Sequence, residues 1–143
     1  MAITFHPNPG LILLCDFSPG FKEPEMVKTR PVIVLTGAIQ GRSQLVTIAP
    51  LSTVEPQPPQ LYHYKIPKQS MPMLGTYQKE DSWFKGDMVY TVGFHRLNLI
   101  LLNKKGLDGK RQYFKNRLSR EQMKQIYQCV IHGLNLSKLA PHV

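Results

Sequence analysis

Cysteine is scarce in this chain. Only Cys15 and Cys129 occur among 143 residues, each inside an apolar stretch, and neither belongs to a Cys-x-x-Cys motif or a mixed Cys/His cluster. A scaffold held by disulfides and a structural zinc site are therefore not expected. We predict that both thiols are free and buried in a reducing compartment, and that the protein uses no metal and no cofactor.

Long apolar segments are also missing. The apolar runs at residues 11–14 and 99–102 are too short to cross a bilayer. The first ten residues lack the charged and apolar regions that make up a signal peptide. We therefore expect a cytoplasmic protein without membrane association.

Acidic residues are outnumbered by basic ones. Nine Asp and Glu stand against 18 Lys and Arg, which gives a formal charge of +9 and an isoelectric point near 9.7. Such an excess favours polyanionic partners, above all nucleic acid, or an acidic protein. A basic surface that serves only solubility explains the charge equally well. With 42% apolar residues the chain can bury a core, and its length predicts a single domain, residues 1–143.

Strand patterns dominate the first hundred residues, where short apolar or β-branched runs alternate with proline, glycine and serine. Strands are predicted at residues 10–17, 31–36, 45–51, 61–66, 87–92 and 97–102. Three prolines within residues 54–60 exclude a central strand there. The spacing indicates an antiparallel meander. Residues 67–86 are predicted to be irregular and residues 103–111 to be solvated.

One helix is predicted near the C-terminus. Ser119 and Gln122 have the spacing of a capping box, in which each side chain binds a free amide of the first turn. Apolar residues then recur with helical period, at Met123, Ile126, Tyr127, Val130 and Leu134. Gly133 weakens the last turn, and Asn135 or Pro141 ends the helix. The sequence thus indicates a basic β-barrel closed by an amphipathic helix.

Three segments carry a pattern more specific than this. Residues 10–17 begin with a glycine, continue with aliphatic residues and end in Cys-Asp-Phe. In residues 25–35 a loop glutamate precedes an Arg-Pro pair, which begins a β-branched strand. Residues 46–53 read Val-Thr-Ile-Ala-Pro-Leu-Ser-Thr, a strand that ends in two hydroxyl residues. In this order and spacing, and together with the helix, they resemble the MazF/PemK growth-inhibitor toxins over most of the chain.

The resemblance implies a mainly β fold, a small SH3-like antiparallel β-barrel with a C-terminal α-helix. It also implies a homodimer, metal-independent cleavage of single-stranded RNA, and an acidic antitoxin whose segment occupies the RNA-binding groove. The chain departs from the family in its longer loops, at about 54–86 and 97–118, and at three positions or segments. Lys28 stands where glycine is usual, Pro24 stands where some members have histidine, and residues 90–92 read Tyr-Thr-Val where the best-characterised branch has Arg-x-Asp.

Cleavage of this kind uses the ribose 2′-hydroxyl as nucleophile, so the protein must stabilise the charge on the phosphorane and move protons. Arg30 suits the first task because its guanidinium offers a planar fork to phosphate oxygens, although a salt bridge to Glu25 is an alternative role. Ser52 and Thr53 are predicted to bind the phosphate or orient the 2′-hydroxyl, or else to satisfy turn amides. Glu25 is predicted to orient Arg30 or to act as a base, the alternative being a solvated ion pair.

Further residues are predicted to bind RNA. Lys28 belongs to the same loop, Arg96 lies near the position of an RNA-contacting arginine in the family, and His95 is a candidate proton donor. Both His95 and Arg96 are equally compatible with an ordinary surface role. Four aromatic residues could stack on unpaired bases or belong to the core instead: Tyr62, Tyr64, Tyr77 and Trp83.

A second function is compatible with the sequence. A basic SH3-like barrel without catalysis would bind nucleic acid or a protein partner, and the family fold also hosts a toxin that acts on gyrase by protein contact. The missing Arg-x-Asp pair favours this alternative, whereas the intact Glu-x4-Arg-Pro pattern and the two hydroxyl residues favour the ribonuclease.

Overall fold

The structure, a computed structural model, describes residues 2–71 and 80–143, with the backbone alone at residues 103–105. It contains nine strands and one α-helix within these residues. The strands are β1 Ile12–Asp16, β2 Thr29–Val34, β3 Leu45–Ser52, β4 His63–Ile66, β5 Ser82–Lys85, β6 Tyr90–Gly93, β7 Leu97–Asn98, β8 Leu101–Lys105 and β9 Arg111–Tyr113, and the helix is α1 Arg120–Gly133.

Seven strands form one antiparallel sheet, in which six follow the order β4-β5-β3-β2-β1-β7 and the seventh, β6, pairs with β3. The eight-residue strand β3 has a divided edge, because its first half pairs with β6 and its end pairs with β5. The mainly antiparallel fold with a C-terminal helix is confirmed. Barrel closure is not detected, since no ladder within the described residues joins the edge strands β4 and β7.

Two buried clusters lie on opposite faces of the sheet, as the alternation of side chains along a strand requires. On β1 and β2, the cross-strand pair Ile12 and Ile33 belongs to one cluster and the pair Leu13 and Val32 to the other. Helix α1 covers the first cluster, to which its buried residues Met123, Ile126 and Cys129 belong. A sheet buried on both faces explains why residues 31–35 read as a continuous apolar run.

The capping box of α1 is confirmed. The amide of Gln122 donates to the Ser119 hydroxyl at 3.1 Å, and the amide of Ser119 donates to the Gln122 side chain at 2.9 Å. The helix ends at Gly133, and Asn135 follows with a φ of 62°. The amide of Leu136 donates to the Ile131 carbonyl, as in the Schellman ending of a helix.

Two expectations about the loops and the helix face are wrong. Residues 82–85 form β5 inside the segment predicted to be irregular, because Phe84 is fully buried opposite Leu51. Leu134 is 58% exposed because the helix ends one residue before it. By contrast, residues 107–111 are exposed, in agreement with the solvated segment predicted there, although β8 and β9 pair as a hairpin.

Both cysteines are buried and free. Burial raises the pKa of Cys15 from 9.0 to about 12, although the charge of Arg96 opposes this, and burial raises the pKa of Cys129 to about 11. Because the thiolate is the reactive form, we expect a thiol reagent near pH 8 to label neither cysteine in the native protein and both in urea. Rapid native labelling would contradict their burial.

The same shifts give a pH dependence of stability. Unfolded thiols ionise near their ordinary pKa of 9.0, whereas the folded ones stay neutral until about 11 and 12. The contribution of the two buried thiols to the free energy of unfolding is therefore complete below pH 9 and is lost as the pH rises toward 12. Urea unfolding near pH 8 and near pH 10 measures this loss, and a Cys129→Ala variant should show a smaller dependence than the native chain.

Candidate functional site

The predicted catalytic residues gather at one end of β1, β2 and β3. Arg30 is the second residue of β2 and pairs with Cys15 of β1. Val32 pairs with Pro50, and the same register continued by two residues places Arg30 opposite Ser52 at the end of β3. Arg30 and Ser52 therefore lie on one face of adjacent strands.

A groove of about 570 Å³ opens beside Arg30. Residues 23–28 of the β1–β2 loop form one wall, and Lys85 of β5 completes the lining. The lining contains the three cations Lys28, Arg30 and Lys85 and the two carboxylates Glu23 and Glu25. The structure thus brings together three of the predicted site residues, which are Glu25, Lys28 and Arg30.

The charge of Arg30 is not balanced by a carboxylate. Within residues 2–71 and 80–143, the one ion pair joins Lys65 and Asp81 at 3.5 Å, so the alternative salt bridge from Arg30 to Glu25 is not formed. The Nε of Arg30 is buried and has no hydrogen-bond acceptor in this part of the chain. Because a partly buried cation without a partner costs free energy, the arrangement favours an anionic ligand beside it.

Glu25 holds its own loop. One carboxylate oxygen, Oε1, accepts a hydrogen bond from the amide of Lys22 at 3.1 Å, and the amide of Glu25 donates to the Lys22 carbonyl at 2.8 Å. The side chain is exposed at the groove. It therefore stabilises a turn, and nothing in this contact prevents the carboxylate from accepting a proton at the groove.

The hydroxyl of Ser52 already has a partner. Ser52 is buried, and its Oγ accepts a hydrogen bond from the amide of Val54 at 3.1 Å, a turn contact that serine commonly makes. Thr53 follows β3 directly and is half-buried. Neither residue belongs to the lining of the groove, although Ser52 lies one strand from Arg30. Their catalytic roles stay predictions.

An aromatic cluster fixes the loop that forms the groove wall. Phe21 contacts the rings of Phe17 and Tyr90 edge to face, with centroids 5.3 and 5.4 Å apart. The amide of Met26 donates to the Tyr90 hydroxyl at 3.3 Å. Tyr90 begins the Tyr-Thr-Val segment, which departs from the Arg-x-Asp pair expected from the family resemblance. Here that position anchors the loop and supplies no charge to the groove.

Arg96 and His95 lie outside the groove lining. The NH1 group of Arg96 donates to the Asp16 carbonyl at 3.1 Å, and its guanidinium lies 4.8 Å from the centroid of the Phe21 ring. Hydrogen bonds from Ser18 and, more weakly, the charge of Arg96 lower the pKa of Asp16. His95 is exposed, with its ring against Gly93. Arg96 thus supports the loop, and RNA contact by either residue stays a prediction.

Sequence reasoning missed two residues beside the groove. Lys85 lines it, and His63 of β4 pairs with Lys85 across the strands. Burial and the charge of Lys85 lower the pKa of His63, although Asp87 opposes them, and its Nδ1 accepts a hydrogen bond from the amide of Gln60 at 2.9 Å. No local motif marks either residue, because only the pairing of β4 and β5 brings them to this end of the sheet.

The aromatic candidates separate by face. Trp83 pairs with Ser52 and is half-buried, so it lies on the same face as Arg30, whereas Tyr64 packs against the cluster under α1. Tyr62 contacts His63 with centroids 4.6 Å apart. Tyr77 lies outside the described residues.

No helix in the described part is long and apolar enough to span a membrane. Among the same residues, no three His, Cys, Asp or Glu side chains come together as ligands for a metal ion.

Comparison with known proteins gives three results. The sequence profile of the PemK-like, MazF-like toxin of type II toxin–antitoxin systems matches residues 8–134. The Escherichia coli (strain K12) protein YifN, whose function is uncharacterized, is 31% identical, with 97% of this chain and 99% of YifN covered.

Solved structures agree at the level of the fold. MazF from Deinococcus radiodurans superposes with a TM-score of 0.60 at 14% identity. The match covers 92% of this chain and 98% of the MazF chain. A mycobacterial endoribonuclease in complex with its cognate antitoxin superposes with a TM-score of 0.57 at 15% identity. The match covers 91% of this chain and 96% of the endoribonuclease. The chain therefore belongs to the PemK-like, MazF-like toxin family of type II toxin–antitoxin systems.

Proposed function

We propose that this protein is a metal-independent endoribonuclease that cleaves single-stranded RNA through attack of the ribose 2′-hydroxyl. The observation that carries the proposal is Arg30, a cation without a carboxylate partner at an open groove. Its guanidinium would neutralise the charge that develops on the phosphorane, and Lys28 and Lys85 would hold the flanking phosphates.

Proton transfer is assigned to the groove carboxylate. Glu25 would accept the proton of the 2′-hydroxyl, because it is exposed at the groove and only one of its oxygens holds the loop turn. Attack of the 2′-oxygen on phosphorus breaks the bond to the 5′-oxygen, which leaves as an alcohol after taking up a proton. The products would be a 2′,3′-cyclic phosphate and a 5′-hydroxyl end. His95 stays a candidate donor for the leaving oxygen.

The test is incubation of a long RNA with the protein, with and without EDTA, followed by mapping of the cut ends. We expect cuts at short single-stranded sequences, unchanged by EDTA, with cyclic phosphate and 5′-hydroxyl ends. A substrate with a 2′-deoxyribose before the cut should resist cleavage because it lacks the nucleophile. Cleavage of that substrate, or loss of activity in EDTA, would contradict this chemistry.

The second candidate is a basic binding protein without catalysis. Two points favour it: residues 90–92 lack the Arg-x-Asp pair expected from the family resemblance, and the Ser52 hydroxyl accepts a hydrogen bond from the amide of Val54. A protein that binds RNA without cutting any RNA tried would support this candidate. A short acidic reading frame just upstream of the gene would instead support a toxin.

An acidic antitoxin is the proposed protein partner. Support comes from the family and from the mycobacterial endoribonuclease solved with its cognate antitoxin. The formal charge of +9 and the cations of the groove match an acidic segment, which would compete there with RNA.

RNA binding should depend strongly on salt. If Lys28, Arg30 and Lys85 each neutralise one phosphate, the logarithm of affinity falls with a slope of roughly −2 against the logarithm of salt concentration. Affinity should then drop by roughly twentyfold between 50 and 200 mM salt. Fluorescence anisotropy with an uncleavable RNA measures the slope. A flat response would mean that the basic groove does not bind phosphate.

We also expect a homodimer in solution. Apolar residues remain exposed near the end of the chain, at Leu134, Leu136, Leu139 and Val143, and a second copy would cover them. Light scattering across the micromolar range should report twice the monomer mass of 16.4 kDa. A monomer throughout that range would refute the expectation.

A further inference from the structure

A second cavity lies away from the groove. Its volume is about 350 Å³, which falls within the range of small-ligand sites. The apolar wall consists of Phe5, Leu11 and Leu99, and the polar lining consists of Asn8, Lys115 and Arg117. Among the residues that the structure describes, no carboxylate lines this cavity.

The cationic side of this cavity is built into the fold. Arg117 forms a β-bridge with Leu11, and its Nε donates to the Pro9 carbonyl at 2.8 Å. The amide of Leu118 donates to the Gly10 carbonyl at 3.0 Å. Arg117 is nevertheless exposed, as is Lys115, and neither forms an ion pair within residues 2–71 and 80–143. Two cations are thus held beside an apolar wall with their charges unbalanced.

This combination matches an unpaired nucleotide. Phe5 is 46% exposed at the cavity and offers a ring on which a base can stack. Lys115 and Arg117 offer donors to a phosphate, and the amide of Asn8 offers a donor and an acceptor to a base edge. A purely aliphatic ligand would leave the charges of both cations without a partner.

The position of the cavity relates it to the groove. Leu11 lines the cavity, whereas Cys15, on the same face of the sheet, pairs with Arg30 at the groove. The step of four residues from Leu11 to Cys15 corresponds to roughly 13 Å along an extended chain. Two cationic sites therefore lie at opposite ends of one sheet face.

We propose that this second cavity binds a nucleotide of the RNA that flanks the cut, so that the protein holds a longer strand than the groove alone can contact. The inference rests on the proposed function for the identity of the polymer. It predicts that cavity substitutions weaken the binding of long strands and leave the cutting of short ones unchanged.

The binding test uses an uncleavable 2′-O-methyl RNA of about 16 nucleotides, and the cleavage test uses a cleavable RNA of about 4 nucleotides, the two limits of a small single-strand site. The cavity variants are Phe5→Ala and the pair Lys115→Gln with Arg117→Gln. Matched controls are Leu107→Ala and Lys110→Gln, which change exposed residues in the turn between β8 and β9. Circular dichroism confirms that every variant folds.

We expect each cavity variant to bind the long strand on the order of tenfold more weakly and to cut the short one at the native rate. In a strand carrying 5-iodouridine, photo-crosslinking should label the peptide that contains Phe5. The controls should bind like the native protein.

Three outcomes would overturn the inference. The first is native affinity for the long strand in both cavity variants. The second is a loss of binding only to an acidic peptide with an aromatic anchor, which would assign the cavity to a protein partner. The third is a cavity variant whose mass in light scattering differs from that of the native protein, which would assign the cavity to contact between two copies of the chain. If the native protein cuts no RNA, the proposed function fails, while the binding measurements still decide the cavity.

Discussion

Arg30→Ala should lower the rate of RNA cleavage by about 10²–10³ while the protein stays folded. The loss follows from removing the groove cation that offers a planar fork to phosphate and makes no ion pair within residues 2–71 and 80–143. Stability should not fall, because Arg30 is a partly buried cation whose Nε has no acceptor to leave unpaired in the described part of the chain. Single-turnover cleavage of one defined oligonucleotide gives the rate, and circular dichroism checks the fold.

Two further variants separate charge from geometry. Arg30→Lys should recover only part of the rate, because an ammonium group cannot reproduce the two-pronged contact of a guanidinium with phosphate. Arg120→Ala is the matched control, since it removes an exposed arginine at the start of α1 and changes the net charge by the same amount. A folded Arg30→Ala protein that cuts at the native rate would refute the assignment, as would an equal loss in Arg120→Ala.

Gly86→Ala should destabilise the fold by about 1–3 kcal/mol or more, the usual cost of adding atoms to a packed site. Gly86 lies directly after β5 and donates its amide to the Tyr62 carbonyl at 2.8 Å. A methyl group there would lie 2.7 Å from the backbone of Cys129 in α1 and 2.9 Å from the Tyr62 carbonyl oxygen. Since both obstacles are backbone atoms, neither can rotate away. Urea unfolding measures the loss.

Gly133 supplies the other side of this contact. A methyl group there would lie 2.5 Å from the Gly86 carbonyl oxygen, so the helix and the turn after β5 meet through two glycines. The double variant should lose less stability than the sum of the single variants, because the first methyl already separates the two elements. Gly37→Ala is the control, with its nearest neighbour at an ordinary 3.9 Å. A stability of Gly86→Ala equal to that of this control would contradict the close approach.

The groove depends on the same contact. Lys85 precedes Gly86 and lines the groove, while β5 pairs with the end of β3 at Ser52. Separation of α1 from β5 would therefore move Lys85 relative to Arg30. We expect RNA affinity to fall together with stability in Gly86→Ala.

Several features were predictable because their causes are local. The capping box depends on Ser119 and Gln122, three residues apart, and α1 begins where this pair requires. The β-branched run after Pro31 forms β2 because extended backbone suits both the residue before a proline and the branched side chains that follow. The Glu-x4-Arg-Pro pattern likewise located Glu25, Lys28 and Arg30, which share a groove because one short segment carries all three.

Other features were not predictable, because their causes are distant in the chain. Residues 82–85 have no strong strand pattern, and β5 forms because Phe84 is buried opposite Leu51, more than thirty positions earlier. Lys85 reaches the groove only through the pairing of β5 with β3, and His63 lies opposite Lys85 only through the pairing of β5 with β4. The role of Gly133 was also hidden, because a glycine that weakens a helix in isolation is the residue that lets α1 approach Gly86.

The sequence by itself determined the excess of positive charge, the capped helix and the segment that presents Arg30, since each depends on composition or on residues within one helical turn or one loop. It also determined the family, since the segments that carry the resemblance are recognised by their order along the chain. Tertiary structure alone decided which hydroxyls and cations stand near that arginine. A shift of one residue in the register of a strand moves each of its side chains to the other face of the sheet. No local signal in the sequence fixes the register between strands that are far apart in the chain. The partner of Ser52, the anchoring of the loop by Tyr90 and the second cavity between Phe5 and Arg117 all follow from such distant pairings.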